Sequence, residues 1–337
     1  LEKNPGSEMA STDIAIPNYN YGRYLNDCVQ SVLNQNAGDV RILIIDNAST
    51  DDSLTIARRL ERQHSQISLV THTKNLGAQS SWNEAIDWAQ SDYFMILCSD
   101  DMLASGTLAR AVSFLEAHKD VSFVHGQEIT ILETGEREHP ELAESDASWR
   151  IMAGEAFISA SCTAPANYIN AGTMVIRTAA QKKAGHFRPH LRYTDDLEMM
   201  LRLALHGSVA ETSAVQGIRR LHGANMSESF AKDSADELRH RNAAFESFFA
   251  KEGKELCMKL DLRKKVRKGL AERSYWWGVR ELSKAQMSSA LALFKLGFHL
   301  HPLTMIVPPI GHLFTNRNEL NGFTTVRTPI SNLLRRA

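Results

Sequence analysis

Asp100 and Asp101 stand side by side at the end of an apolar run, Tyr93-Phe94-Met95-Ile96-Leu97-Cys98. Such a run reads as a buried strand. Carboxylates placed where a strand leaves an open α/β sheet lie where ligands bind. Two like charges at that point repel each other unless a cation joins them. A hard divalent cation with a phosphate ligand suits that chemistry. A second acidic pair, Asp195-Asp196, opens a helical pattern running to His206, where the helix dipole accounts for at least one of the two charges.

The elements that must position these residues alternate in type. Strand patterns cover Asp13–Ile16, Arg41–Ile45, Ile67–Val70, the run before Asp100 and Val121–Val124. Helical patterns lie between them at Tyr24–Asn34, in a helix running to Arg62 that Thr50 or Asp51 is expected to cap, at Ala78–Ala89 and at Leu108–His118. Further strands are expected around Thr173–Ile176 and Val209–Val215, with a helix at Ala179–Ala184 between them. Strand–helix alternation of this kind specifies an α/β fold with a mostly parallel sheet flanked by helices. Glu133–Ser148 reads as a polar surface loop. Beyond Ser229 the chain becomes helix-rich, with helices expected at Leu262–Val279 and Gln286–Leu300. The expected boundary lies near Phe230, giving a domain over residues 9–230 and a helical C-terminal region over 231–337.

The 337 residues are 43% hydrophobic and 23% charged, with a formal net charge of −1, so no general field draws the protein to nucleic acid. The four cysteines lie far apart without a Cys-x-x-Cys pair, which suggests free thiols in a reducing cytoplasm rather than zinc or a disulfide framework. Leu1–Ala10 lacks the plan of a secretory signal, and Leu1–Glu8 reads as an added segment ahead of Met9. The most apolar stretch, Ser289–Ile310, is interrupted by Lys295, His299, His301 and Pro302 and does not read as a membrane span.

Five segments in order resemble the inverting family 2 glycosyltransferases of the GT-A fold. They are Ile16-Pro17-Asn18-Tyr19-Asn20 with Ser31–Gln35 after it, Ile44–Ser53, Asn75-Leu76-Gly77 with Asn83, Ser99-Asp100-Asp101, and Thr194-Asp195-Asp196 with Leu201-Arg202. The resemblance covers about Thr12 to Ser229. It implies transfer of a sugar from a nucleotide diphosphate donor, UDP-linked in first preference, to a glycan or lipid-linked acceptor. Pro17, Tyr19 and Asn20 would then pack on the donor's base and ribose. Asp46 would accept a base N–H or a ribose hydroxyl. Asn75, Gly77 and Asn83 would line the donor site, and Lys74 would reach a phosphate. Asp100 would sit at the ribose or the cation shell, and Asp101 would be the direct ligand of Mn²⁺ or Mg²⁺. Relatives of this type carry an earlier aspartate where this chain has Cys98 or Ser99.

The resemblance also implies a second metal ligand at His222, in the segment Arg220–Ser227. Imidazole suits Mn²⁺ better than Mg²⁺. The second carboxylate of the later pair, Asp196, would be the general base for the acceptor hydroxyl, with Asp195 or Glu198 as fallback and Arg202 balancing the charge. Ordinary structural readings stand beside each of these. Asp46 lies in a loop rich in cap and turn residues, His125 reads as a core histidine ahead of an acceptor contact, and Trp149 and Tyr168 read as packing ahead of sugar-stacking residues. A nucleotidyltransferase of similar fold would need a basic Gly-rich loop after the first strand, where Pro17–Asn20 stands instead. A nucleotide-sugar-binding protein without catalysis rests on Cys98 alone. The basic clusters Arg263–Lys265 and Arg267-Lys268 near Trp276-Trp277 suit either a solvated helix face, peripheral contact at the inner face of a membrane, or a homodimer. Bacterial polysaccharide or glycan synthesis is the setting the resemblance implies.

Overall fold

The computed structural model describes residues 10–35, 37–133, 148–165, 169–225 and 234–309. Most of the expected loop at Glu133–Ser148, Tyr168, the segment ahead of Met9 and the boundary near Phe230 lie outside these residues. The described chain forms two compact units, 10–158 with 169–225, and 159–165 with 234–309.

The first unit is built on one mixed sheet. Strands β1 (Ser11–Asn18), β2 (Asp39–Asp46), β3 (Ile67–Thr71) and β4 (Tyr93–Ile96) pair parallel in the order β3-β2-β1-β4. Helices α1 (Gly22–Leu33), α2 (Ser53–Gln63) and α3 (Ala78–Trp88) make the crossovers. Ile14, Ala15 and Ile16 are wholly buried, as the consecutive apolar residues of a strand covered on both faces must be. At the other end of β1, buried Asp13 takes hydrogen bonds from Arg41, Ser91 and the Gln90 N–H, so its charge is fully partnered.

The remaining elements are β5 (Met102–Leu103), α4 (Thr107–Ala117), β6 (Val121–Leu132), β7 (Trp149–Met152), α5 (Gly154–Thr163), β8 (Val175–Arg177), α6 (Thr178–Ala184), α7 (Asp195–Ala204) and β9 (Ser208–Leu221). They extend the sheet as β4-β8-β6-β9-β5, with β7 added to β9. Here the pairing is mixed, since β8 runs antiparallel to β4 and β6 while β6 and β9 are parallel. Both β6 and β9 run well beyond the expected Val121–Val124 and Val209–Val215. Polar breaks at His125–Glu128 in β6 and at Gln216-Gly217 in β9 interrupt the apolar pattern before it resumes at Ile129, Ile131 and Ile218, yet the strands pair as far as Leu132 with Leu221 through register shifts around Gln127. This extension carries Glu128 and Arg220 to the site. The short β7 and β5, and α5, give no periodic signal of their own and were not expected.

In the second unit, α8 (Ser234–Ala250) and α9 (Lys254–Leu260) precede a hairpin of α10 (Leu262–Ser283) and α11 (Met287–Leu300), followed by α12 (Pro302–Ile306). The expected hairpin helices are therefore present. Gly278 abuts the Phe294 ring, where an added Cβ would lie 2.6 Å from a ring carbon, so small size here lets α10 and α11 approach closely. The buried rings of Phe245 and Phe248 anchor α8, each contributing roughly 1.5–3 kcal/mol of burial. Pro302 stands at the start of α12, where its missing N–H costs nothing.

Candidate active site

The exit loops of the first three strands are laced together. Asn18 Nδ2 donates to Asp46 Oδ1 at 3.1 Å and to Ser49 Oγ at 3.2 Å, and the Ser49 N–H donates to Asp46 Oδ2 at 3.1 Å. Asn20, at φ 58°, donates its N–H to Ser49 Oγ and accepts the Thr50 N–H at 2.7 Å. Asn47 Nδ2 donates to Asn75 Oδ1 at 3.0 Å, which also accepts the Gly77 N–H at 2.8 Å. Gly77 sits at φ 85°, a conformation that favours glycine, with open space where a Cβ would be. Asp46 is only 2% exposed and uses both oxygens inside the loops, while Pro17 is half-buried and Tyr19, 43% exposed, presents its ring outward. Lys74 is exposed beside this rim. Asp52, rather than Thr50 or Asp51, is the N-cap residue of α2, and it makes no side-chain cap bond. Asp51 accepts the Ser53 and Gly22 N–H groups instead.

The Asp100-Asp101 pair follows β4 as expected, and the distal end of β9 comes to meet it. Asp101 Oδ1 accepts the Arg220 N–H at 3.0 Å, and Asp100 Oδ2 lies 3.2 Å from His222 Nε2 and accepts Asn225 Nδ2 at 3.1 Å. His222 is held between rings, stacked on Tyr24 at 4.8 Å and edge-on to Tyr21 at 5.2 Å. Its Nδ1 accepts the Ala224 N–H at 3.2 Å, which puts the proton of a neutral imidazole on Nε2, facing Asp100. Neither aspartate caps a helix, since α4 begins after Gly106.

Cys98 Sγ completes a triangle with the carboxylates. Ligand atoms of Cys98, Asp100 and Asp101 all lie within 4.8 Å of one another, the one such group of three among the described residues. Burial, and then the charge of Asp100, pushes Asp101 up to about 8 against the opposing Arg220 N–H bond. Burial also holds the Cys98 thiol well above its ordinary value, so it is neutral. Glu128 and Asn170 join this edge and were not found from sequence. The Asn170 amide donates to Glu128, whose carboxyl burial raises to about 7. Asn170 Oδ1 also accepts the Gly172 N–H, in a 3₁₀ turn that places Gly172 against Asp101 Oδ2. Single residues this far apart in sequence carry no spacing signal.

The later acidic pair opens α7. Gln79 Nε2 of α3 donates to Asp195 Oδ2 at 2.8 Å, and burial followed by the Asp196 charge raises Asp195 to about 7. Asp196 is more exposed and accepts the N–H of Leu197. The expected pairing of Arg202 with these aspartates does not occur. Arg202 is 2% exposed and pairs with Glu198 at 2.8 Å, and Arg188 approaches the same carboxylate at 2.6 Å. Glu198 is thus a buried ion-pair hub and leaves the set of candidate bases. Asn83 is likewise committed, exchanging hydrogen bonds with both backbone groups of Phe187. His125 is a core residue held neutral, pushed down to about 3 by burial and then the Arg150 charge. Trp149 stacks on Phe114 at 4.0 Å, which is packing.

The profile of the family described as glycosyl transferase family 2 matches residues 13–182, just over half of the 337, and this segment holds the laced loops and Asp100-Asp101. The chain belongs to that family. An uncharacterized glycosyltransferase of Haemophilus influenzae is 32% identical over 107 residues, 32% of this chain and 43% of that protein, so the chain matches under half of that relative. Among solved structures, S. aureus TarS 1-349 in complex with UDP-GlcNAc gives a TM-score of 0.57 at 14% identity, covering 86% of this chain and 91% of that one. The mannosyltransferase PcManGT of Pyrobaculum calidifontis, in complex with GDP-Man and Mn²⁺, gives 0.54 at 14% identity, covering 95% and 84%. These likenesses are of fold, and the mixed sheet flanked by helices is the GT-A fold.

The residues of this family 2 glycosyltransferase fit a divalent cation at the β4 exit. A carboxyl driven up by burial and a neighbouring carboxylate is a site with excess negative charge, and oxygen donors suit a hard ion. The sulfur of Cys98 adds a softer donor on the same triangle.

Proposed function

We propose that this glycosyltransferase moves a sugar from a nucleotide diphosphate, UDP in first preference, to an acceptor hydroxyl with inversion at the anomeric carbon. The observation that carries this reading is the Asp100-Asp101 pair at the strand exit, met by Arg220, His222 and Asn225. Asp101 and Asp100 would hold Mn²⁺ or Mg²⁺, which would bind the diphosphate and offset the negative charge of the leaving nucleotide. His222 orients Asp100 in its present tautomer. To serve as a ligand through Nε2 it would give up its bond with the Ala224 N–H.

Tyr19, on the β1 exit, offers a ring to the base. Pro17, Asn20, Asp46, Asn75 and Gly77 set the shape of the donor rim through the bonds that lace the loops. Asp196 takes the proton of the acceptor hydroxyl as its oxygen attacks the anomeric carbon, and the bond from that carbon to the diphosphate breaks in the same displacement. Asp195, held by Gln79, positions the start of α7. The acceptor class is a glycan or a lipid-linked sugar of bacterial polysaccharide or glycan synthesis, with the chain acting in the cytoplasm.

The test is a screen of UDP-, GDP- and dTDP-sugars by thermal shift with and without Mn²⁺, followed by turnover and NMR of the anomeric product. Stabilisation by one donor only when Mn²⁺ is present, and an inverted product, are expected. Binding that is indifferent to cation and to Asp101→Asn would overturn the site.

A further inference from the structure

In the second unit, the basic clusters and tryptophans singled out in the sequence are mostly engaged. Arg263 pairs with Glu246, Lys268 approaches Glu272, and Trp277 lies under Arg273 and Arg280. What stands free of packing is apolar. Nine of the thirteen large apolar side chains exposed among the described residues belong to this unit. Leu282, Met287, Leu291, Phe298, Leu303 and Ile306 are 41–69% exposed.

They are not scattered. At 3.6 residues per turn, Met287, Leu291, Lys295 and Phe298 fall within an arc of about 80° on α11, opposite buried Leu293, Gly297 and Leu300. Leu303 and Ile306 continue from α12, and Leu282 and Met287 flank the hairpin turn. Between Met287 and Ile306 there is no carboxylate; the ionisable groups are Lys295, His299 and His301. At the α11 C-terminus, Arg267 donates to the carbonyls of His299 and Leu300, and a cavity of about 460 Å³ is lined by Arg263, Lys264, Arg267 and His301, with Asp261 the one acid.

We propose that α11 and α12 form a face that lies in the interfacial layer of an anionic lipid bilayer. The apolar stripe enters the acyl boundary. Lys295 meets lipid phosphates; Lys284, which lies 3.5 Å from Glu281, and the cavity cations, of which Arg263 pairs with Glu246, add positive charge beside it. Charge selects this occupant over a second copy of the chain. A copy applied to the same stripe would bring Lys295 against a face with no carboxylate, whereas a phosphate layer supplies the missing anions. No helix among the described residues is long and apolar enough to cross a membrane, so the contact is one of lying on the surface.

Flotation of the full chain with phosphatidylglycerol vesicles, against phosphatidylcholine vesicles, tests this. The chain is expected to float with the first, at least about ten-fold better than with the second, and to be released by salt. Leu291→Ser with Phe298→Ser is expected to cut the bound fraction by about ten-fold on either lipid, and Lys295→Glu to weaken phosphatidylglycerol binding selectively. Unchanged circular dichroism certifies that the variants fold, and an unchanged melting shift with nucleotide sugar separates this result from the fate of the transferase reading. A parent chain that stays down with both vesicles overturns the proposal. So does a double variant that floats like the parent, or a parent dimer that the double variant converts to monomer in light scattering.

Discussion

The two acidic pairs of the first unit look alike in sequence and are built differently. Asp100-Asp101 ends a strand and is held by side chains and backbone that arrive from more than a hundred residues away, Arg220, His222 and Asn225. Asp195-Asp196 opens a helix, with Gln79 of α3 donating to the first member and the neighbouring Leu197 N–H to the second. In both, burial raises one member, Asp101 to about 8 and Asp195 to about 7. The difference lies in what relieves that strain. Both carboxylates of the first pair converge with a sulfur, which is the arrangement a cation would use, whereas the second has an amide on the buried member and a more exposed second member, as the proposed base would need.

The sharpest way to break this contrast is to neutralise one member of each pair. Asp101→Asn is expected to lower Mn²⁺-dependent turnover of a nucleotide sugar by about 100-fold or more, with chelation of the parent giving a comparable loss. Asp196→Asn is expected to lower kcat by about 10²–10⁴-fold while the donor-induced melting shift stays at the parent value. If Asp196→Asn instead abolished cation-dependent donor binding, the two pairs would have to exchange roles.

A smaller effect is expected at the partners of the first pair. Asn225→Ala removes a buried amide that reaches both Asp100 Oδ2 and the Arg220 carbonyl at 3.1 Å. Cation affinity, read from titration of the melting shift with Mn²⁺, should fall by about 10–100-fold. An unaltered titration would remove this residue from the support of the site.

The smallest effect concerns pH. Asp195 holds its proton in the folded protein up to about 7 but loses it near the ordinary 3.8 when unfolded. Its contribution to stability is therefore fully present below about 4 and is lost as pH rises through about 7. Asp195→Asn mimics the protonated form. It should melt with the parent at pH 4 and above it at pH 8, by a few degrees for about 1–3 kcal/mol. A melting difference of the same size at both pH values would show that the folded carboxyl is not raised.

Much of the first unit was legible because apolar runs and helical spacing alternate from Asp13 to Val124. The site was legible where residues of one role sit together, as Asp100-Asp101 and Asp195-Asp196 do. His222 was found by its segment, and the structure brings it to Asp100. What could not be read shares one physical cause. Glu128, Asn170 and Asn225 are single polar residues that meet their neighbours only once β6 and β9 have run past interruptions in their apolar pattern. The polar, glycine-containing breaks at His125–Glu128 and Gln216-Gly217 interrupt the periodicity by which strands are recognised. Glu198 and Asn83 are engaged in ways the sequence does not show, for the opposite reason. A charged or amide side chain in a helix looks available in sequence, and only packing shows that Arg188, Arg202 or the Phe187 backbone already occupies it.

If the triangle holds the working ion, Cys98 carries a toxicological consequence. Its sulfur lies on the same small triangle as two carboxylates, in a protein whose catalytic ion is expected to prefer oxygen. Thiophilic ions such as cadmium would find oxygen and sulfur donors side by side there and displace the working ion. Sensitivity of the enzyme to such poisons would then trace to one atom, and a hydroxyl in its place would confer resistance.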